Sequence, residues 1–331
     1  MSTYQKNNEH LPWVEQFRPQ SLADVLGHHQ IIKTINKLID TDNLPHLLFY
    51  GPPGTGKTST ILACAKKMFG TELSSMILEL NASDDNGINI VRNQIKDFAE
   101  TKKMFGTGIK LIVLDEADNL SIDAQNALRR VMEKYSGNVR FCLICNYVSK
   151  IINAIQSRCM NFRFSLLKKN EIVNKIYEIA AIKNCSLDSI SPSILYNISS
   201  GDMRLILNTM QACYIAQGKI DEDTIYKCTG TPHPTDITIL VDYLMNDNFN
   251  CAYRKINQLK MEKGLTLSDI IENLTPIVVE MNIPELVKCY ILKNMADIEN
   301  NLIEIISDDV QLGGLVSIFI IAKQKMLDVV K

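Results

Sequence analysis

Residues 51–58 read GPPGTGKT, and this stretch decides the fold of the chain. It follows an apolar run at 47–50, short enough for a buried strand, and precedes a helical pattern at 59–68. A glycine-rich loop between a strand and a helix lets backbone N–H groups surround phosphates, and the helix N-terminus favours the same anion. Lys57 can then reach the β- and γ-phosphates, and Thr58 can bind Mg²⁺. The context predicts a phosphate-binding loop rather than an ordinary glycine-rich turn.

Buried strands and helical patterns alternate around this loop. Further short apolar runs lie at 76–80, 111–114 and 141–145, and 162–164 is a candidate last strand. Helical periodicity is present at 31–39, 88–103 and 123–135. This alternation predicts a parallel sheet covered by helices.

Two of these strands end in polar residues that suit nucleotide chemistry. Residues 111–118 read LIVLDEAD, so a strand delivers Asp115 and Glu116 to the carboxyl edge of the sheet, where ligands collect in such folds. Asp115 can hold Mg²⁺ through water and Glu116 can deprotonate an attacking water, although an acidic pair can also be a solvated turn. Asn146 follows the next strand along the chain, where it can position water, sense the γ-phosphate or simply form a turn.

Composition narrows the possible classes of protein. The chain has 331 residues, of which 46% are apolar and 22% charged, which predicts a soluble protein of two or three domains. Lysine and arginine total 35 against 37 acidic residues, so any contact with DNA has to be local. No uninterrupted apolar run approaches the roughly 18 residues that span a bilayer, so we expect no membrane partner.

The N-terminus and the cysteines indicate a reducing compartment. The first 11 residues are polar and contain no apolar signal segment, and the chain's Cys count of 9 is scattered without a framework, which predicts reduced thiols in the cytosol or nucleus. Residues 11–19 are predicted to form an extended arm, because Pro19 disfavours helical geometry at Arg18.

Two further patterns have an ordinary and a functional interpretation. Cys142 and Cys145 form a CxxC inside the apolar run at 141–145, but a strand points them to opposite faces and no second pair has metal spacing, so we expect both in the core. Arg92, Lys96 and Lys103 form a basic stripe on the predicted helix at 88–103, which is either a solvated face or a phosphate contact. None of the histidines lies in a metal or nucleophile pattern.

Beyond residue 167 helical periodicity dominates. Turn-forming clusters lie near 191–192 and 199–202, and a small helical domain to about 230 is the economical interpretation. Residues 229–235 read TGTPHPT, which predicts a linker, and helices continue from there to the end, including an apolar segment at 312–322.

Several motifs taken together resemble the small subunits of replication factor C, the clamp loader of the AAA+ family. They are GPPGTGKTST at 51–60, LELNASDD at 78–85, LDEAD at 114–118, QNALRR at 125–130, QSRC at 156–159 and SGDMR at 200–204. LPWVEQFRP at 11–19 and CTGTPHP at 228–234 extend the resemblance over essentially the whole chain. The runs ILACAKK, FCLICNYVSKII and MADIE resemble most the branch that holds the human fifth and yeast third subunits.

The resemblance implies an α/β fold of three parts. These are an AAA+ nucleotide-binding base with a parallel sheet at 1–166, a helical lid at 167–230, and an all-α collar at 231–331 that holds five subunits in a ring. It implies that ATP and Mg²⁺ bind the base, and that hydrolysis drives loading of the PCNA sliding clamp onto primer-template DNA during replication and repair in the nucleus. The implied partners are the other replication factor C subunits, PCNA and DNA.

The resemblance also implies roles for residues. Arg158 would reach the ATP of a neighbouring subunit in trans, and Arg204 would be the lid's γ-phosphate sensor. The implied catalytic set is Lys57, Glu116, Asn146, Arg158 and Arg204, and the implied Mg²⁺ ligands are Thr58 and Asp115. The nucleotide would contact Val14, Arg18, Leu26, Gly51, Pro52, Pro53, Gly54, Thr55, Gly56, Lys57, Thr58, Ser59, Asn146 and Arg204.

Contacts with DNA and the clamp are also implied. Arg92 and Lys96 would face DNA phosphates, and residues 103–105 would touch the clamp. Asn86 departs from the family pattern, because many relatives carry arginine there, so one cation near the expected DNA track is missing.

Two rival functions fit the same loop. One is a structural scaffold of the same ring whose bound nucleotide is architectural, with little hydrolysis of its own. The other is a branch-migration or remodelling motor. The presence of Glu116 and Arg158 weighs against the first, and the collar-like tail weighs against the second.

Overall fold

The structure, a computed structural model, describes residues 10–83, 94–100, 109–304 and 307–329, with side chains of the last helix described as far as Leu327. The chain divides into two compact units, Met1–Glu222 and Asp223–Lys331.

A parallel sheet forms the centre of the first unit. Its strands are β1 (His46–Tyr50), β2 (Ile77–Asn81), β3 (Lys110–Asp115), β4 (Val139–Cys145) and β5 (Cys159–Arg163). Their order in space is β2-β3-β4-β1-β5, and every neighbouring pair is parallel. Leu48 of β1 lies opposite Leu143 of β4 and Asn161 of β5. The predicted parallel sheet is confirmed, and β1 lies inside it, where the loop at 51–58 leaves the sheet between two neighbours.

Alternate residues of the strands face two separate hydrophobic cores. Leu48, Leu143 and Cys145 lie in one core, packed with residues of the helix Ile122–Lys134. Leu47, Phe49 and Cys142 lie in the other, packed with residues of His29–Asp40 and Lys57–Phe69. Cys142 and Cys145 are buried and unpaired on opposite faces, as predicted. Strands buried on both faces explain why each reads as a continuous apolar run.

Short helices complete the first unit. Around the sheet they are Trp13–Gln16, His29–Asp40, Lys57–Phe69, Leu73–Met76, Ile95–Glu100, Ile122–Lys134 and Asn153–Gln156. After the sheet come Lys169–Lys183, Ser191–Ser199 and Met203–Gln217, which we call the lid helices. Of the predicted helix at 88–103, Ile95–Glu100 is helical, and most of the remainder lies outside the described residues.

Three sequence predictions for this unit are wrong or incomplete. The segment 11–19 is not an extended arm, because Trp13–Gln16 is helical after Pro12, and the effect of Pro19 only limits how far that helix runs. The turn predicted near 191–192 is the first turn of Ser191–Ser199, where the missing N–H of proline costs no helical bond. A parallel pair, Ser186–Leu187 with Lys219–Ile220, lies within the region predicted to be helical, since two-residue strands carry no periodic signal.

The second unit is helical. Its helices are Pro234–Asn246, Phe249–Lys263, Leu267–Glu280, Glu285–Ile303 and Asp308–Val329, and Glu222–Thr229 precedes them. Residues 230–233 join Glu222–Thr229 to Pro234–Asn246, so the connection is shorter than the linker predicted at 229–235. Fully buried side chains, including Ile256, Leu274 and Phe319, form its core.

The last helix is the one element in the described part of the chain that is long and apolar enough to cross a membrane. The stretch Asp308–Leu327 meets that test by length and composition alone. Leu312, Leu315 and Phe319 on this helix are buried within the core of the second unit. Those contacts fit the central core helix of a helical unit, and the absence of a membrane partner stays a prediction.

Candidate nucleotide-binding site

The loop at 51–58 requires glycine at its first position. Gly51 has φ 146°, and a Cβ there would lie 2.0 Å from the carbonyl oxygen of Phe164. Gly56, with φ 89°, ends the loop in left-handed geometry directly before the helix Lys57–Phe69. The loop therefore turns sharply out of β1 and presents the N-terminus of a helix at its mouth, which is the geometry that favours an anion.

Lys57 is the buried cation of this loop. Only 7% of the residue is exposed, and its Nζ donates to the carbonyls of Gly51 at 2.7 Å and Pro52 at 2.8 Å and to Asn146 Oδ1 at 3.0 Å. Burial lowers the pKa of the ammonium, and the nearby Asp115 carboxylate opposes that effect. Neutral oxygens thus hold an ammonium that is partly desolvated, so an incoming anion has a favourable partner.

The two residues predicted to bind Mg²⁺ lie together. Thr58 Oγ1 donates to Asp115 Oδ2 at 2.7 Å, and this bond joins the first turn of the helix Lys57–Phe69 to the end of β3. Hydroxyl and carboxylate oxygens are the ligands that Mg²⁺ takes, with waters and phosphate oxygens completing its shell. The described residues contain no group of three or more His, Cys, Asp or Glu side chains that could hold a metal by themselves. The arrangement therefore fits a metal bound jointly with phosphates.

Glu116 follows Asp115 in a strained conformation. Its φ of 53° and ψ of 38° are left-handed, and its backbone N–H donates to Asp115 Oδ1 at 2.9 Å. Asn119 Nδ2 donates to Glu116 Oε2 at 3.1 Å, while the residue itself is exposed. The turn separates the two acids, so that one points toward Thr58 and the other is available to solvent.

Asp118 positions Asn146, and no role for it was apparent in the sequence. Its Oδ2 accepts the backbone N–H of Asn146 at 3.3 Å and of Tyr147 at 3.2 Å. The acid motif after β3 thereby fixes the residues that follow β4, and Asn146 meets Lys57. The only sequence signal was the presence of a third acid in LDEAD, which spacing alone could not assign.

The lid helix Met203–Gln217 contacts the loop through its N-terminus. Asp202 caps this helix by accepting the N–H groups of Arg204 at 2.8 Å and Leu205 at 3.3 Å. A Cβ at Gly54 would lie 1.7 Å from Asp202 Oδ1, and the Met203 N–H points to the Gly54 carbonyl at 3.4 Å. Arg204 lies close enough to Lys57 for its charge to lower the pKa of the lysine. Lid and loop therefore meet where the γ-phosphate is expected.

A cavity of about 330 Å³ opens beside this network. Of the predicted nucleotide contacts, Gly51 and Pro52 do not line it, although their carbonyls hold Lys57. The predicted residues that do line it are Val14, Arg18, Leu26, Pro53, Gly54, Thr55, Gly56, Lys57, Thr58, Ser59, Asn146 and Arg204, together with Asp115 and Glu116. Its volume falls in the usual range for small-molecule sites.

Several lining residues were missed, because they come from distant parts of the chain. They are Phe17, Pro19, Gln20, Asp24, Val25, Leu167, Lys175, Ile179, Met203 and Leu207. The N-terminal segment reaches the cavity because the Trp13 N–H donates to Gln211 Oε1 at 2.9 Å and the indole packs on Tyr214 with ring centroids 5.6 Å apart. Such a contact between the first helix and a lid helix leaves no local pattern in sequence.

Arg158 lies apart from this cavity. Its Nη2 is 2.5 Å from Glu133 Oε1 on the same chain, and it does not line the cavity. Lys96 is on the helix Ile95–Glu100, with Nζ 4.0 Å from Glu100 Oε1. Arg92, Asn86 and the predicted clamp segment 103–105 lie outside the described residues.

The sequence matches two family models and many curated proteins. Residues 47–166 match the ATPase family associated with various cellular activities (AAA), and residues 232–317 match the replication factor C C-terminal domain. Mouse replication factor C subunit 5 is 50% identical over 310 residues, which is 93% of this chain and 91% of the relative. The chain belongs to the replication factor C subunit family. Subunit 3 from Saccharomyces cerevisiae is 43% identical, over 95% of this chain and 94% of the relative.

These relatives confirm the fold class and the branch of the replication factor C family. Human replication factor C subunit 5 is 49% identical over 93% of this chain. The chain has the predicted architecture: an AAA+ base with a five-stranded parallel sheet, a helical lid and a C-terminal helical replication factor C domain. The AAA domain makes this a nucleotide-binding subunit. The division at residues 166 and 230 stays a prediction.

A solved structure of the Thermotoga maritima RuvB Holliday junction branch migration motor shares the fold. It superposes with a TM-score of 0.51 over 78% of this chain and 90% of that chain, at 17% sequence identity. Identity that low shows a common fold and carries no function. The likeness therefore does not revive the branch-migration alternative.

Proposed function

We propose that this chain is an ATP-hydrolysing subunit of a replication factor C clamp loader that loads PCNA onto primer-template DNA. The observation that carries the proposal is the network in which Lys57 meets Asn146 while Thr58 meets Asp115. That network joins the phosphate loop to the ends of β3 and β4. The groups that would hold the triphosphate and its metal ion therefore lie within one small volume.

Binding of ATP follows from the state of Lys57. Its ammonium is buried and held by carbonyl and amide oxygens. Phosphate oxygens carry negative charge, so they would add an ionic attraction to the ammonium that the neutral carbonyl and amide oxygens do not supply. The apolar part of the cavity, including Val14, Leu26 and Leu207, suits a purine ring.

Thr58 and Asp115 would hold Mg²⁺, and their oxygens fit it. The hydroxyl and the carboxylate already lie 2.7 Å apart and need only open around an ion. When bound, Mg²⁺ would neutralise charge on the β- and γ-phosphates.

Glu116 would act as the general base and Asn146 as the residue that orients the attacking water. The Glu116 carboxylate is exposed beside the cavity, held only by Asn119 among the described residues. Asp118 holds the backbone of Asn146, and the Asn146 Oδ1 accepts from Lys57 Nζ at 3.0 Å, so the side-chain amide keeps a defined direction. A base beside a positioned water is the arrangement that phosphoryl transfer requires.

Arg204 and Arg158 would complete two different sites. Arg204 lines this chain's own cavity at the N-terminus of a lid helix, where it can bind the γ-phosphate. Arg158 does not line that cavity and its side chain is 38% exposed, which supports a role in trans at a neighbour's ATP. Charge from an arginine supplied across an interface can raise hydrolysis by about 10³- to 10⁵-fold.

The wider assembly belongs to the same proposal. We place the collar at 231–331 in a ring of five subunits, with Lys96 and Arg92 toward DNA phosphates and 103–105 toward PCNA. The eukaryotic relatives support a nuclear location. ATP binding would let the ring grip the clamp and primed DNA, and hydrolysis would release both.

The test is Glu116→Gln in the assembled complex. The amide keeps the size of the side chain but cannot take a proton, so we expect ATP binding at this site to be retained while its hydrolysis falls by about 10²-fold or more. Nucleotide retained on a filter and single-turnover hydrolysis would measure the two effects separately.

Unchanged hydrolysis at this site would favour the alternative, a scaffold subunit whose nucleotide is architectural. Glu79→Gln is the matched control, because it makes the same change at an exposed residue of β2 that does not line the cavity.

A further inference from the structure

The guanidinium of Arg158 is held on its own subunit from two sides. Nη2 lies 2.5 Å from Glu133 Oε1, and Nη1 donates to the Ala154 carbonyl at 2.6 Å. Glu133 belongs to the helix Ile122–Lys134, and Ala154 to the short helix Asn153–Gln156. The side chains of Arg158 and Glu133 are 38% and 46% exposed. The ion pair is thus at a surface that another chain can reach.

These two contacts leave most of the arginine's hydrogen-bonding capacity unused. A guanidinium has five N–H donors. Glu133 and Ala154 engage one donor on each terminal nitrogen, and among the residues that the structure describes no other acceptor contacts the guanidinium. The remaining donors can bind a phosphate while the two contacts stay in place. The contacts therefore orient the side chain without occupying it fully.

Glu133 is itself held between two cations. Arg129, four residues earlier on the same helix, has its Nε 4.0 Å from the same Oε1 of Glu133. That Nε is buried and has no hydrogen-bond partner within the described part of the chain. Without the carboxylate, Arg129 and Arg158 would face each other as like charges, and Arg158 would turn away.

We propose that Glu133 is a positioning residue that aims Arg158 at the ATP of the neighbouring subunit. The inference rests on the proposed trans role of Arg158, and it adds that Glu133 is the residue that orients the Arg158 side chain. A long, flexible arginine loses rotamer freedom when it meets a phosphate, and a contact that restricts it beforehand reduces that loss. Glu133 does not touch the nucleotide; it acts through Arg158.

The test is a double-mutant cycle in the assembled five-subunit complex, with the other ATP sites disabled so that only the site facing Arg158 turns over. Glu133→Ala should lower kcat at that site about twofold to fivefold, the range that an exposed ion pair supports, with KM for ATP unchanged. Glu133→Gln keeps an acceptor oxygen and should lose less. In an Arg158→Ala background, Glu133→Ala should have no further effect.

Asp40→Ala is the matched control. It also removes a surface acid from an ion pair, since Asp40 Oδ1 lies 2.7 Å from Lys67 Nζ, and neither residue lines the cavity. The inference is overturned if Glu133→Ala leaves kcat unchanged, if it lowers kcat equally without Arg158, or if Asp40→Ala has the same effect. If Arg158→Ala alone leaves the neighbour's hydrolysis intact, the trans role itself is refuted and the inference falls with it.

Discussion

At the scale of single residues, the site depends on groups placed against their preferences. Glu116 is a non-glycine residue with φ 53°, and Lys57 is an ammonium with only 7% of the residue exposed. A left-handed backbone at a non-glycine residue and a buried ammonium each lower the stability of the fold, and both features are concentrated at functional sites. Neighbours offset the cost, since Asp115 accepts the Glu116 N–H and three oxygens surround Lys57 Nζ.

A half-buried histidine at the start of β1 makes stability depend on pH. Burial lowers the pKa of His46 from 6.5 to about 4, helped by the charge of Arg140, and its neutral Nδ1 accepts the Phe141 N–H at 3.1 Å. Because the folded pKa lies below the unfolded value, the unfolded chain binds more protons between these two pH values. The stability that neutral His46 contributes is therefore fully present above about pH 6.5 and is lost as the pH falls toward 4. The loss is at most about 3 kcal/mol, and it is smaller than this limit because the ring is partly exposed.

Denaturant unfolding at pH 7 and pH 4.5 would measure this loss. His46→Asn keeps a neutral acceptor and should lose less stability over that interval than the natural chain. An equal loss in both proteins would show that other groups cause the acid sensitivity.

At the scale of secondary-structure elements, the local and the long-range parts of the site differ in how well sequence predicts them. Spacing along one strand or turn is enough to predict the loop at 51–58, the acids after β3 and the opposite faces of Cys142 and Cys145. Two contacts join segments that are far apart in the chain: Asp202 meets Gly54, and Trp13 meets Gln211. The periodicity of a sequence does not predict contacts of this kind. The helix Trp13–Gln16 was mispredicted for a related reason, since a single helical turn beside two prolines has no periodic signal.

The cap of the lid helix couples that helix to the loop. Asp202→Ala removes the acceptor for the N–H groups of Arg204 and Leu205, so we expect a loss of about 1 kcal/mol in unfolding free energy and weaker ATP binding, because Arg204 is less firmly placed. Calorimetric unfolding and nucleotide titration of the same preparation would measure both. Asp202→Asn keeps an acceptor oxygen and should stay near the natural protein. Tighter ATP binding by Asp202→Ala would mean that the carboxylate chiefly repels the phosphates.

At the scale of the whole molecule, the proposed roles assign parts of two ATP sites to one chain. Its own cavity is lined by loop, sheet edge and lid, whereas Arg158 lies elsewhere on the first unit and pairs with Glu133. The family resemblance already implied a separate role for Arg158, and in the fold Arg158 does not line this chain's own cavity. A subunit of this kind can respond to its own nucleotide and act on that of a neighbour, which is what coordinated hydrolysis around a ring requires.

The most direct test of this account is PCNA loading by the complex that carries Arg158→Ala in this chain. We predict that this chain's own ATP affinity is retained, that hydrolysis at the adjacent site falls by at least about 10²-fold, and that release of the clamp on primer-template DNA slows with it. Single-turnover hydrolysis and clamp release would be followed in the same reaction. The account would be contradicted if this chain lost its own ATP binding while hydrolysis at the adjacent site and PCNA loading stayed normal.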